Sequence, residues 1–98
     1  MSLQAAIGVW ARARAEGMDL LLLLAIADFA DVDGRNAWPT VATLATRVRL
    51  RESEVLQLLH QLEQAGEVVV ERTADMPPTS PPTRYHIRCC YDPLYDQR

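Results

Sequence analysis

The stretch of sequence that decides the fold is residues 38–66, which read WPTVATLATRVRLRESEVLQLLHQLEQAG. Pro39 disfavours helical geometry at the residue before it, and Thr40 is a good N-cap, so a helix of about two turns begins here. Apolar residues recur at helical spacing on both sides of a short break at residues 49–51, and Gly66 ends the second helix. The stretch therefore predicts two helices joined by a tight turn.

Two further helices are predicted upstream of this pair. Residues 18–30, MDLLLLLAIADFA, contain no Gly or Pro and are apolar around most of a helix, so we expect this helix at the centre of the core. An Asp-Gly turn at residues 33–34 ends it. A shorter helix is expected over Leu3 to Arg14, where Ile7 and Trp10 lie three apart on one face.

Downstream of Gly66 the spacing at which apolar residues recur changes from about 3.6 residues, typical of a helix, to about 2 residues, which indicates strands. Residues 68–71 and 84–90 alternate in this way, with Val68 and Val70 on one face, and the proline-rich residues 76–83 between them are expected to form an exposed loop. The chain is therefore expected to end in an antiparallel hairpin.

The order of helices, tight turn, longer helix and hairpin is that of a winged helix-turn-helix, a mainly α fold of the α+β class. We assign residues 1–90 to this domain and residues 91–98, which have no periodicity, to a C-terminal tail. Trp38 is expected to plug the core where the first helix of the pair begins.

A set of packing and capping residues resembles the helix-turn-helix domain of phage and plasmid replication initiators and related bacterial regulators. The matching residues are Ala27–Ala30, Asp33-Gly34, Trp38–Thr40, Leu44-Ala45, Val55, Leu62–Gly66, and Tyr85 with Ile87. The resemblance implies that the second helix of the pair enters a DNA major groove and that the chain binds double-stranded DNA in transcription regulation or replication. It also implies a Gly at the position of Arg49, so Arg49 is expected to be strained if its φ is positive.

Charge is distributed unevenly along the chain, although the net charge of −3 excludes a generally basic nucleic-acid coat protein. Residues 35–51 contain four arginines and no acid, whereas residues 52–71 contain five glutamates and no base. The arginines favour a DNA interface, and the glutamates oppose one.

Two sets of site residues follow from this contrast. For DNA binding, arginines of the turn and hairpin are expected to contact phosphates, and polar residues of the second helix are expected to reach bases. These residues are Arg47, Arg49, Arg51, Ser53, Gln57, His60, Arg72 and Arg84, with Ser53 as an alternative N-cap one turn later. In the alternative, an acidic face of the second helix binds a protein partner through Glu52, Glu54, Leu56 and Gln57, with Trp10 and Tyr95 as further interface residues.

The sequence leaves two roles open for Trp10 and the first helix, which either pack within the chain or form a homodimer interface. Tyr91, Leu94 and Tyr95 similarly cover a sheet edge or contact a partner subunit.

The sequence offers no motif for an enzyme, a cofactor or a metal site. It contains no Gly-rich phosphate loop or local catalytic set, and Cys89, Cys90, His60 and His86 lack metal-ligand spacing. The adjacent cysteines are expected to be reduced thiols. The longest apolar run, residues 20–27, is far shorter than the roughly twenty residues of a membrane span, and no signal peptide is recognisable. We therefore expect a cytoplasmic protein without a membrane partner.

Overall fold

The computed structural model of the chain describes residues 3–72 and 83–95. Its elements, in chain order, are α1 (Leu3–Arg12), α2 (Gly17–Ala27), α3 (Val41–Val48), α4 (Glu52–Gln64), β1 (Val68–Arg72), β2 (Thr83–Ile87) and α5 (Arg88–Tyr91). The strands pair antiparallel, and the helices pack on one another around a single apolar cluster. This arrangement is the α+β winged helix-turn-helix fold that the sequence predicts.

Helix α2 lies at the centre of the core, as expected from its composition. Leu22, Leu23 and Ile26 are completely buried, and α2 packs against α1, α3 and α4. The helix ends at Ala27, earlier than the apolar run suggests, because residues 28–30 form turns in which the Phe29 N–H donates to the Ile26 carbonyl at 3.0 Å.

The two helices of the helix-turn-helix are fixed by their caps. Thr40 Oγ1 accepts the Thr43 N–H at 3.0 Å, which confirms the predicted N-cap of α3. Arg49 ends α3 in the left-handed conformation, with φ +60° and ψ +44°. Arg51 is the N-cap residue of α4, and its N–H donates to the Glu54 carboxylate at 3.2 Å. The alternative start of α4 at Ser53 is therefore wrong.

The sheet has a third contributor besides β1 and β2. Val68 pairs with Ile87, Val70 pairs with Tyr85, and Tyr85 also forms an isolated bridge with Ala37 through hydrogen bonds of 2.8 and 3.1 Å. The segment before α3 is thereby held against β2. Of the loop predicted at residues 76–83, all but the last residue lie outside the described residues.

The second strand is shorter than its alternation suggests, and the prediction that it continues to Cys90 is wrong. The strand ends at Ile87, and Arg88 begins the short helix α5. The side chain of Arg88 stabilises this transition from strand to helix, because it donates to the Gly66 carbonyl at 2.9 Å and to the Asp92 carboxylate at 2.8 Å. The chain then turns toward α1, against which α5 packs.

Tyr95 returns the end of the described chain to the core. Its side chain is buried, and its hydroxyl donates to the Glu67 carboxylate at 2.7 Å. Glu67 also accepts the N–H groups of Arg14 and Ala15 at 3.1 and 3.3 Å. Burial, followed by the hydrogen bond to Glu67, raises the pKa of Tyr95 to about 12. Tyr95 is therefore a core residue, and its expected place at an exposed interface is wrong.

Candidate nucleic-acid interface

Helix α4 presents a stripe of uncharged polar side chains to solvent. Its apolar residues Val55, Leu59 and Leu62 are buried. Residues on the opposite side recur at i, i+4, i+7 and i+11, which is the spacing of one helix face. These exposed residues, which we call the α4 stripe, are Ser53, Gln57, His60 and Gln64. The stripe thus contains Gln57 and His60, which the sequence proposed for base contact, together with Ser53 of the predicted DNA site, and the helical period adds Gln64.

The glutamates of α4 lie beside the α4 stripe rather than on it. Glu52 and Glu54 are separated by about 200° around the helix axis, because each residue advances by about 100°. The Glu54 carboxylate is used by the chain itself, since it accepts the Arg51 N–H at 3.2 Å. Leu56, which is 55% exposed, lies on the Glu52 side. The residues expected to form an acidic face therefore do not share one surface.

The two glutamates after α4 are separated from the helix surface as well. Glu67 is buried under Tyr95. Glu71 accepts a hydrogen bond from His86 Nε2 at 2.9 Å, because His86 Nδ1 already accepts the Asn36 N–H at 3.2 Å. The bond from His86 lowers the pKa of Glu71. Glu67 is therefore removed from the surface, and Glu71 is engaged by His86 on the hairpin rather than lying on α4.

The arginines around the turn differ in what they contact. Arg49 and Arg51 are exposed at the N-terminal end of α4, and within residues 3–72 and 83–95 neither guanidinium forms an ion pair. Arg47 is paired with Asp28 at 3.0 Å, and its guanidinium lies 5.0 Å from the centre of the Phe29 ring. Arg49 and Arg51 are thus the two turn arginines whose charge is available to an external anion.

Trp38 is exposed at the edge of the hairpin, and the prediction that it plugs the core is wrong. The bridge between Ala37 and Tyr85 holds this segment in extended geometry, so that neighbouring side chains alternate between faces. Ala37 and Pro39 point inward, and Trp38 is 63% exposed. The Arg84 guanidinium lies 4.6 Å from the centre of the Trp38 ring. Sequence reasoning missed this pair, although the alternation around the Trp-Pro step could have indicated it.

The hairpin supplies one further arginine of the predicted site. Arg72 ends β1, where it pairs with Thr83. Its side chain lies outside the part of the chain that the structure describes, and it stays a prediction.

In residues 3–72 and 83–95, no three His, Cys, Asp or Glu side chains form a group that could hold a metal ion. Cys89 and Cys90 are free thiols beside α1, where the Cys90 Sγ lies 3.5 Å from the Ala5 carbonyl oxygen. None of the described helices is long and apolar enough to span a bilayer.

Comparison with known proteins gives one match. A family model described as a helix-turn-helix domain matches residues 16–66, which run from the start of α2 to the glycine after α4 and make up just over half of the chain. No curated protein and no solved structure matches the chain. The matched region contains the whole α2, α3 and α4 unit and the turn that carries Arg49 and Arg51. The chain belongs to this family of helix-turn-helix domains.

Proposed function

We propose that this protein binds double-stranded DNA through α4 and the turn before it, and that it acts in transcription regulation or in replication of a bacterial or mobile element. The observation that carries the proposal is the α4 stripe, which is uncharged, exposed and bordered at its N-terminal end by Arg49 and Arg51. Membership of a helix-turn-helix family supports the same function.

The α4 stripe has the chemistry needed to read base edges. A helix of 13 residues is about 20 Å long, and the major groove is wide enough to admit it. The Gln57 amide can donate and accept at an adenine, and Ser53 and His60 supply further donors and acceptors. Leu56, at the border of the stripe, is placed to contact a thymine methyl group.

We expect phosphate contacts from the turn before α4 and from the hairpin. Arg49 and Arg51 lie where α4 enters the groove, and Arg84 extends from the hairpin with its guanidinium supported by the Trp38 ring. Arg47 is a weaker contributor because contact with a phosphate competes with its Asp28 partner. Such contacts position the helix without selecting sequence.

A protein partner is the second candidate, and the exposed Leu56 is the observation that favours it. Glu54 lies on the other side of α4 and caps the helix, so it does not belong to such a contact. The contact would be centred on Leu56, with the exposed Glu52 and the half-buried Glu63 on the same side of the helix.

The proposal is tested by selecting duplexes from a random pool and measuring binding of the selected and random duplexes. We expect one enriched sequence, and we expect Gln57→Ala to weaken binding to it by roughly ten- to hundredfold while binding to random duplex is nearly unchanged. Gln4→Ala, an exposed glutamine on α1, is the matched control. Absence of measurable DNA binding at about 50 mM salt, where phosphate contacts are strongest, refutes the proposal.

A further inference from the structure

Helix α1 is apolar on two opposite sides. Ala5 and Val9 face inward and are fully buried. Leu3, Ile7 and Trp10 recur at i, i+4 and i+7 on the outward side, where they are 73%, 56% and 67% exposed. A helix that is apolar around its whole circumference is normally buried on all sides, whereas the outward side of α1 is open to solvent within the described chain.

The outward side of α1 continues into a cleft of about 380 Å³. Trp10 lines it together with Leu21 and Leu24 of α2 and Val48 of α3, and the Asp28–Arg47 ion pair borders it as well. Leu21 is itself 43% exposed. We refer to Leu3, Ile7, Trp10 and Leu21 together as the α1 face. The cleft beside it can receive an apolar side chain from another molecule.

The charges around the α1 face favour one kind of occupant. Arg12, at the last position, is the single charged residue of α1. In a two-fold symmetric dimer the same patch meets itself, so a charged patch is repelled by its own copy and an uncharged apolar patch is not. The two charged residues of the adjoining cleft, Asp28 and Arg47, are paired with each other at 3.0 Å, so they leave no net charge for a partner recognised by charge complementarity.

The area of the α1 face is sufficient for a weak symmetric interface. A fully exposed Trp side chain offers about 250 Å², and the four exposed fractions together amount to roughly 500 Å² per copy. Two copies then bury about 1,000 Å², which is the lower limit of specific protein interfaces. This area is well below that of obligate dimers, which bury about 2,000 Å² or more.

We propose that a second copy of this chain binds the α1 face, with the exposed Leu3, Ile7 and Trp10 of the two copies packed against each other. Helix α1 packs on α2 and α5, and no residue of the α1 face belongs to α4, so the proposed interface uses none of the α4 stripe. The dimer thus presents two copies of α4, although self-association itself does not depend on DNA binding.

The test is sedimentation equilibrium of the full chain, without DNA, from about 1 to about 500 µM. We expect the average mass to rise from that of a monomer toward twice that value. We expect Trp10→Ser to weaken the association by at least roughly a hundredfold and Ile7→Ser by at least roughly tenfold. Leu56→Ser removes an exposed leucine from α4 and is the matched control. A monomer at every concentration, a dimer unaffected by the α1 variants, or equal loss with Leu56→Ser overturns the proposal.

Fluorescence gives a second readout that does not depend on mass. The chain has two tryptophans, Trp10 and Trp38, so the Trp38→Phe variant reports on Trp10 alone. We expect its emission to shift to shorter wavelength as concentration rises, because burial against a second copy removes the indole from water. Emission that is independent of concentration in this range overturns the proposal, and far-ultraviolet circular dichroism confirms that each variant is folded.

Discussion

Replacement of Arg49 by Gly is expected to stabilise the protein and weaken its binding to DNA at the same time. Arg49 adopts φ +60°, in the left-handed region that side chains with a Cβ atom disfavour. That conformation costs about 1–2 kcal/mol, and a glycine releases this cost. The greater freedom of glycine in the unfolded chain offsets roughly 0.4–1 kcal/mol of the gain. The net expectation is a stabilisation of about 1 kcal/mol.

The control for this prediction is Arg49→Ala, which removes the same charge and keeps the strained backbone. For a domain of this size about 1 kcal/mol corresponds to about 4–8 °C in melting temperature. We expect Arg49→Gly to melt higher than Arg49→Ala by that amount in calorimetry. We also expect both variants to lower the slope of log K against log salt by about 0.9, as for one lost phosphate contact.

The two measurements separate backbone strain from charge. An Arg49→Gly variant that is no more stable than Arg49→Ala would show that residue 49 carries no conformational cost. Equal salt slopes for both variants and the parent would show that the Arg49 guanidinium contacts no phosphate. The combination that we expect, a more stable and weaker binder, means that the arginine is retained at a cost to stability.

Two further predictions concern the hydrogen bonds of Glu71 and Tyr95. The bond from His86 lowers the folded-state pKa of Glu71, so the stabilisation that this bond gives is present above the ordinary pKa of 4.5 and is lost as pH falls through the folded-state pKa. Between about pH 5 and pH 3, we therefore expect the free energy of unfolding in urea to fall more steeply for the parent than for Glu71→Gln. Parallel curves for the two proteins would contradict this prediction. Tyr95→Phe removes the buried hydroxyl donor to Glu67 and should destabilise by about 1–3 kcal/mol, whereas Tyr91→Phe, whose hydroxyl has no hydrogen bond among the described residues, should change stability little.

The elements that follow local rules could be predicted from the sequence. Thr40 caps α3, α4 places its apolar residues at helical spacing, and the positive φ at Arg49 follows from a position where the resembling family has glycine. These features depend on residues a few positions apart. Capping and periodicity are therefore sufficient to locate the helix-turn-helix.

The features that sequence reasoning missed depend on contacts between distant residues. The orientation of Trp38 is set by the pairing of Ala37 with Tyr85, and the end of β2 is set by contacts of Arg88 with Gly66. The alternation around Trp38 and Pro39 can indicate which side chain is exposed, but no local pattern reveals the pairing of Ala37 with Tyr85 or the contact of Arg88 with Gly66.

The charge pattern of the sequence was misleading about the surface of α4, because contacts between distant residues also decide which charged side chains stay exposed. The sequence groups five glutamates after residue 51, whereas the fold buries Glu67, pairs Glu71 with His86 and uses Glu54 as part of a cap. The order of charges along the sequence does not show which side chains the fold buries, pairs or uses as caps. The α4 stripe contains no acidic residue, since Glu52 and Glu54 lie to either side of it, and this stripe carries the proposed function.

The salt dependence of DNA binding by an Arg49→Ala, Arg51→Ala variant tests the central claim most directly. Its matched control is the double variant Arg12→Gln, Arg14→Gln, which lowers the net charge by the same amount. This control lies away from the N-terminal end of α4, because Arg14 borders a cleft together with Ala65 at the C-terminal end of that helix. We expect the slope of log K against log salt to fall by about 1.8 for the turn variant and to change little for the control. Equal slopes for the two variants would contradict the assignment of this turn as the DNA contact.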